Sequence, residues 1–340
     1  MNSKDVDILN IILIIVSLYA AFHIPFGLFI FSYVFLGPLH YMTEINWLTE
    51  KEYFLAKANW SYLFIFIGVI LSTPFISKIP GYKEQIDNET IASSLKTLLY
   101  FSDELYSIGF ISAFGVLCFK KIVHVILFTI IGGTAAILAL NYAPSAALAI
   151  AVFFPTLIHV YFFTTLFMIY GIIKNKTTAG LIGILLMFVV PIIIYFSKVN
   201  PTEYLAISEY TKKSFLDSNF DSVSKEIAKW FISDTSKYQL LSIVGIKIQI
   251  FIAFAYTYHY LNWFSKTSII RWDKGMSKSK IKTIIAIWLI SISIYLYNFK
   301  IGFVLLSFIS VLHVLLEFPL NAITIKELLK KINPLLISKS

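Results

Sequence analysis

Two histidine–glutamate pairs are the residues of this chain best suited to chemistry. His40 is followed four residues later by Glu44, and His313 is followed four residues later by Glu317. On a helix this spacing puts both side chains of a pair on one face. Histidine and carboxylate together are common ligands of a non-haem metal, and a ligating histidine needs a partner that orients its second ring nitrogen. We therefore predict that Glu44 and Glu317 are catalytic residues, as orienting partners or as direct ligands.

Four histidines fall on, or just after, long apolar runs that cross in the same direction: His40, His159, His259 and His313. Three of them lie in the last third of the run or beyond it, and His159 lies nearer the middle. An ionisable residue inside a membrane segment is costly and suggests a functional role. We predict that these four imidazoles are ligands of one metal near the cytoplasmic half of the bilayer. Fe(II) is favoured, and zinc, copper or haem remain open.

The other two histidines have secondary roles in this hypothesis. His124 opens a run of the opposite direction and so reaches the same side of the membrane, which makes it an alternative ligand. The predicted lining of an apolar substrate slot is His23, Tyr258, Tyr260, Asn262 and Asn321. A single intramembrane histidine is more often a hydrogen-bond partner between helices, and aromatic residues at span ends are commonly an interfacial belt. The prediction therefore depends on the four rings meeting in one pocket.

The composition is that of a membrane protein. Of 340 residues, 58% are hydrophobic and 14% are charged, whereas a soluble domain has about a quarter of its residues charged. Several runs exceed the roughly 18 residues that span a bilayer. The net charge of +9 comes almost wholly from lysine, with Arg271 the only arginine, which argues against nucleic-acid binding. Cys118 is the only cysteine, so an internal disulfide or a thiolate cluster is excluded.

The predicted architecture is an all-α, polytopic helical bundle formed by one membrane-embedded domain, residues 1–340. The predicted spans are residues 9–37, 61–77, 106–119, 122–140, 145–173, 179–197, 240–264, 283–297 and 301–320. The third is weak, so we expect eight or nine. The lysine distribution predicts that the N-terminus is outside and the C-terminus is in the cytoplasm. The expected location is the bacterial cytoplasmic membrane. The polar segment 198–239 is predicted to include an amphipathic helix on the membrane surface.

Several enzyme classes are disfavoured by missing motifs. The six histidines form none of the H-x-x-x-H or H-x-x-H-H boxes of membrane desaturases. The chain also has no H-E-x-x-H zinc-protease motif and no G-x-x-x-x-G-K-[S/T] phosphate loop. Its serine, aspartate and histidine residues follow no recognisable nucleophile motif. A haem held by His159 with His259 or His313 remains open.

The segment Gly37–His40, with Glu44 following, resembles a signature of the membrane β-carotene-cleaving dioxygenases related to bacteriorhodopsin-related protein. This sequence has glutamate where the family has aspartate, Tyr41 where the family usually has glycine, and no acid near His159. The family's remaining intramembrane histidines would correspond to His159, His259 and His313. The resemblance implies an iron-dependent oxygenase that acts on a long isoprenoid or another lipid inside the bilayer.

The leading hypothesis is a metal-dependent membrane oxygenase whose partners are the lipid bilayer and a hydrophobic small molecule. A proton-coupled transporter or flippase is the second hypothesis, since Pro25, Pro155 and Pro191 could break helices near a central binding site. No inverted repeat supports it. A non-catalytic membrane subunit is the third. The sequence sets neither the substrate nor the oligomeric state.

Overall fold

The part of the chain that the structure describes has only helical regular structure. The computed structural model describes residues 2–50, 60–78, 89–119, 121–143, 153–218, 220–234, 238–271 and 276–332, and every regular element in those ranges is a helix. The all-α prediction is confirmed. These residues include seven helices that are long and apolar enough to cross a membrane. The exact number of spans and the direction of the termini stay predictions, and residues 145–152 of the fifth predicted span lie outside the described residues.

The α-helices are α1 Ser3–His23, α2 Pro25–Phe31, α3 Gly37–Glu50, α4 Trp60–Ser72, α5 Glu89–Tyr100, α6 Ser102–Cys118, α7 Ile122–Tyr142, α8 Thr164–Asn175, α9 Thr178–Phe196, α10 Glu209–Asp217, α11 Phe220–Ala228, α12 Ile243–Ser265, α13 Thr267–Ile270, α14 Lys278–Tyr297 and α15 Phe299–Ile332. Two π-helical stretches, Ser32–Leu36 and Phe154–Phe163, precede α3 and α8.

The first apolar run, residues 9–37, forms two helices where the sequence predicts a single tilted or kinked span. α1 ends at His23, Ile24 leaves the helical conformation with φ −137° and ψ 53°, and α2 begins at Pro25. Proline lacks the N–H that continues a helix and suits the first position of a new one. His40 consequently lies on the second candidate span, Pro25–Thr49, which corrects the assignment of this histidine to the first.

The chain divides into two compact units, each assembled from segments that are distant in sequence. Unit 1 comprises Met1–His40 and Thr156–Ile292, and unit 2 comprises Tyr41–Pro155 and Ser293–Ser340. The amino-acid sequence shows no boundary of this kind, because no polar linker or change of composition separates the segments of one unit from those of the other.

Helix α12 is the centre of unit 1. It packs against α1, α2 and α9 and is buried on nearly all sides. It is not among the seven apolar candidates, since Gln249, His259 and Asn262 and several tyrosines lower its hydropathy. Polar residues inside a membrane protein normally face protein partners, because lipid cannot hydrogen-bond to them.

A buried hydrogen-bond network joins α12 to α1. The Asn10 Oδ1 atom accepts from Asn262 Nδ2 at 2.7 Å, from the Tyr258 hydroxyl at 3.2 Å and from Ser265 Oγ at 3.2 Å. The Asn10 Nδ2 group donates to the Val6 carbonyl oxygen at 2.8 Å. Because Tyr258 and Asn262 are one turn apart on α12, the network fixes the rotation of that helix about its axis.

Replacing Asn10 by leucine is expected to lower the free energy of unfolding by about 1.5 kcal/mol, since Asn262 and Tyr258 lose their shared acceptor. The measurement is denaturant unfolding in detergent. Ser17→Ala is the matched control on the same helix: Ser17 is 1% exposed and its hydroxyl has no hydrogen-bond partner among the described residues. An Asn10→Leu protein as stable as Ser17→Ala would show that the network contributes nothing.

The apolar face of the polar segment 198–239 is covered by protein. Phe215, Phe220, Val223 and Ile227 are buried. The Phe220 ring lies 4.6 Å from the Phe29 ring of α2 and 5.1 Å from the Tyr256 ring of α12, between centroids. Trp230 and Phe231, just after α11, are 69% and 51% exposed. Leu205, Tyr210 and Leu216 are exposed as well, so the apolar residues of this segment that could meet a bilayer surface lie before α11 as well as at its end.

Unit 2 is organised by the long helix α15. It packs against α4 and α6, and α6 in turn pairs with α7. The α6–α7 pair is close because Gly132 has no side chain: a Cβ atom there would lie 2.7 Å from Ile111 Cγ2. Along α15, the buried residues His313, Glu317 and Asn321 recur every fourth position and therefore lie on one side of the helix.

Candidate metal centre

Three of the four predicted histidine ligands meet inside unit 1. They come from α3, from the π-helical stretch before α8, and from α12: His40, His159 and His259 are 1%, 2% and 7% exposed. The His259 ring centroid lies 4.8 Å from that of His40 and 5.0 Å from that of His159. Ring nitrogens of His40 and His159 lie within 4.8 Å of each other. Three imidazoles distant in sequence thus share one buried space.

Irregular helices help to place two of these rings. His159 lies within the π-helical stretch Phe154–Phe163, and His40 follows the stretch Ser32–Leu36 by four residues. A π-helical turn contains an extra residue and so rotates the side chains beyond it relative to an α-helix. Such turns are rare and frequently occur at functional sites. The candidate centre is therefore marked by an unusual backbone conformation as well as by its histidine side chains.

The hydrogen bonds of His259 fix its tautomer. The Thr164 hydroxyl donates its only proton to the Val160 carbonyl oxygen at 2.9 Å, and it lies 2.8 Å from His259 Nδ1. We therefore assign the proton of this second contact to Nδ1, which donates to the Thr164 oxygen. The other ring nitrogen, Nε2, then carries a lone pair. This arrangement, with one ring nitrogen donating to a neighbour and the other available, is that of a metal-ligating histidine.

The lone pair of His259 Nε2 points toward His40 Nε2, 3.1 Å away. Two nitrogens each bound at about 2.1 Å to one metal lie about 3.0 Å apart at a right angle and about 3.4 Å apart at the tetrahedral angle. The observed separation lies between these values. It also suits a direct hydrogen bond in which His40 Nε2 donates. The donor set therefore fits a metal, and metal content distinguishes the two arrangements.

Aromatic side chains surround the imidazoles on the His40 side. The centroids of the Tyr260 and Trp263 rings lie 5.1 Å and 5.5 Å from that of His40. Tyr260 is 1% exposed and Trp263 is 8% exposed. These rings keep water from the imidazoles, and their apolar faces are suited to a hydrophobic ligand.

The other residues of the predicted slot lie elsewhere in unit 1. Tyr258 and Asn262 belong to the Asn10 network, and their side chains leave α12 in directions different from that of His259. His23 is exposed at the end of α1, where its Nδ1 atom lies 2.9 Å from the Tyr19 carbonyl oxygen. Of the predicted lining residues in this unit, only Tyr260 is in contact with a clustered histidine.

The remaining predicted site residues belong to unit 2. His313 is 2% exposed, and its ring stacks on that of Tyr41 with centroids 4.2 Å apart. Glu44 and Glu317 are each 2% exposed and close enough for their carboxyl groups to interact electrostatically. Asn321 is also buried. His124 is exposed at the start of α7, with its ring 5.9 Å from that of Phe119.

Two residues that help to position α12 and His259, Asn10 and Thr164, were not predicted from the sequence. Asn10 carried a signal that could have been used, since it is a single amide within an apolar run. Thr164 carried none, because threonine commonly occurs in membrane helices and bonds to its own backbone. Its contact with His259 joins residues 95 positions apart and becomes evident only in three dimensions.

Comparisons with known proteins give no neighbour for this chain: no protein-family model, no curated protein and no solved structure matches it.

Proposed function

We propose that the protein is a membrane-embedded, metal-dependent oxygenase whose non-haem metal is held by His40, His159 and His259. The observation that carries the proposal is the buried group of three imidazoles, with Nε2 of His259 directed by Thr164 toward Nε2 of His40. Imidazole ligands suit iron, zinc and copper, and the resemblance of Gly37–His40 to the carotene dioxygenases favours Fe(II). The assignment of His313 as a further ligand stays a prediction.

In this proposal each residue has a defined task. The three imidazoles hold the metal, and Thr164 keeps His259 in the ligating tautomer. Tyr260 and Trp263 exclude water and contact the hydrophobic part of the substrate. When bound, Fe(II) would supply the activation of O2.

The substrate that best fits an apolar centre within membrane helices is a lipid or isoprenoid chain that reaches it from the bilayer. Dioxygenation of such a polyene would break one carbon–carbon double bond and form two carbonyl groups, with both oxygen atoms taken from O2. The reaction balances without any other oxidant or reductant.

The test is an assay of purified protein loaded with Fe(II) in detergent, supplied with β-carotene or other long polyenes and O2. We expect cleaved carbonyl products, detected by mass spectrometry, with oxygen-18 incorporated from labelled O2. His259→Ala should abolish product formation, whereas the exposed-histidine control His23→Ala should retain it. Metal binding without conversion of any polyene would contradict the oxygenase proposal, and substrate flux in proteoliposomes without product would favour a transporter.

We further propose that the protein has eight or nine spans in the cytoplasmic membrane, with its N-terminus outside and its C-terminus in the cytoplasm. The lysine distribution supports this orientation. Exposed Trp230 and Phe231, beside Lys229, support an interfacial position for the end of α11.

A further inference from the structure

Helix α9 contains a proline that deprives one of its backbone carbonyl groups of a helical partner. Pro191 lies inside this helix and has no N–H group. The missing N–H would have bonded to the carbonyl oxygen of Met187, four residues earlier. Met187 is 1% exposed, and a carbonyl group without a partner is costly inside a membrane protein. This carbonyl group therefore needs a donor from another part of the chain.

Tyr161 supplies that donor. Its hydroxyl group donates a hydrogen bond to the Met187 carbonyl oxygen. Its ring packs against α12, with its centroid 5.0 Å from that of Phe251 and 6.4 Å from that of Phe254. Tyr161 thus joins the π-helical stretch Phe154–Phe163 to α9 and to α12.

The same π-helical stretch carries His159, two residues before Tyr161. Side chains two positions apart on a helix do not face each other, and these two have different partners. Tyr161 bonds to α9, whereas the His159 ring lies 5.0 Å from the His259 ring of α12. A hydrogen bond on one side of the stretch therefore limits its rotation, and with it the direction of the imidazole on the other side.

We infer that Tyr161 is a positioning residue of the histidine centre, which orients His159 by bonding to the carbonyl group that Pro191 leaves open. The inference deepens the proposed function and rests on it for every effect on metal affinity. The placement of the His159 ring, in contrast, is a property of the protein without metal and can be measured by itself.

The test is Tyr161→Phe, which removes the hydroxyl group and keeps the ring. The nuclear magnetic resonance signals of isotope-labelled histidine are recorded on the metal-free full-length protein in detergent. We expect the His159 ring signals, identified by their absence from His159→Ala, to shift or broaden, while those of the exposed His23 and His124 stay unchanged. In a competition titration, the affinity for Fe(II) should fall about tenfold.

A second substitution separates positioning of His159 from mere satisfaction of the Met187 carbonyl group. Pro191→Ala supplies the helical N–H, so the double variant Tyr161→Phe/Pro191→Ala should regain the thermal stability that Tyr161→Phe loses. Its His159 signals and its Fe(II) affinity should stay altered, because the π-helical stretch is still not bonded to α9. Recovery of signals, affinity and stability together would overturn the inference.

Tyr204→Phe is the matched control. The Tyr204 hydroxyl also donates to a backbone carbonyl oxygen, that of Phe22 at 2.6 Å, but it lies outside the π-helical stretch. This variant should keep the parent's His159 signals and Fe(II) affinity. Unchanged His159 signals in Tyr161→Phe, or equal changes in both variants, would contradict the positioning role. A parent protein that binds no metal would contradict the proposed function alone, because the His159 signals are measured without metal.

Discussion

Replacing His259 by alanine is expected to lower the metal content of the purified protein by about one equivalent per chain. His259 has the central ring of the group, within 5.0 Å of both other imidazole centroids, and its Nε2 atom lies 3.1 Å from that of His40. Removing it leaves two imidazoles, which form a much weaker site for a divalent metal than three. The measurement is elemental analysis of protein purified without added chelator.

Two matched variants show whether the loss is specific to the cluster. His23→Ala and His124→Ala each remove one exposed imidazole and should keep the full metal content. Equal metal content in all three variants would mean that the clustered histidines form only a hydrogen-bonded group. Equal loss in all three would instead indicate adventitious binding to histidine.

Replacing Thr164 by valine is expected to weaken metal affinity by roughly 10- to 100-fold, the usual effect of removing the group that orients a ligating histidine. Valine has nearly the same shape but cannot accept the proton of His259 Nδ1. The ring then loses the hydrogen bond that fixes its tautomer and its orientation. A competition titration with a metal-binding dye measures the change.

The neighbouring residue supplies the control. Thr165 is also buried, and its hydroxyl donates to the Tyr161 carbonyl oxygen at 2.8 Å. Thr165→Val therefore removes a comparable hydroxyl without affecting His259 and should leave the metal affinity unchanged. Thr164→Ser, which retains the hydroxyl, should restore it. If Thr164→Val and Thr165→Val behave alike, Thr164 has no orienting role.

The helical class could be predicted from the sequence because apolar runs long enough to cross a bilayer leave few alternatives to helices. The division of residues 9–37 into α1 and α2 could not, since proline is compatible with either a kink or a break. Pro25 begins a new helix, whereas Pro191 lies inside α9. Local sequence does not distinguish these two outcomes; the packing of the flanking segments does.

The candidate site could be predicted only in part, for a related reason. The meeting of His40, His159 and His259 followed from their positions on apolar runs, which limit depth in the membrane. The rotation of each helix about its own axis could not be predicted from the sequence. It is set by the π-helical stretches and by the Asn10 network. For this reason Tyr258 and Asn262, although beside His259 in sequence, face another partner.

X-ray absorption spectroscopy at the iron K-edge would show directly whether the clustered imidazoles hold one metal. The sample is the purified protein loaded with one equivalent of Fe(II) per chain. We expect three imidazole nitrogens at about 2.1 Å from the iron, with the multiple scattering of imidazole rings. A spectrum of oxygen ligands with at most one imidazole, or a protein that retains no iron, would contradict it.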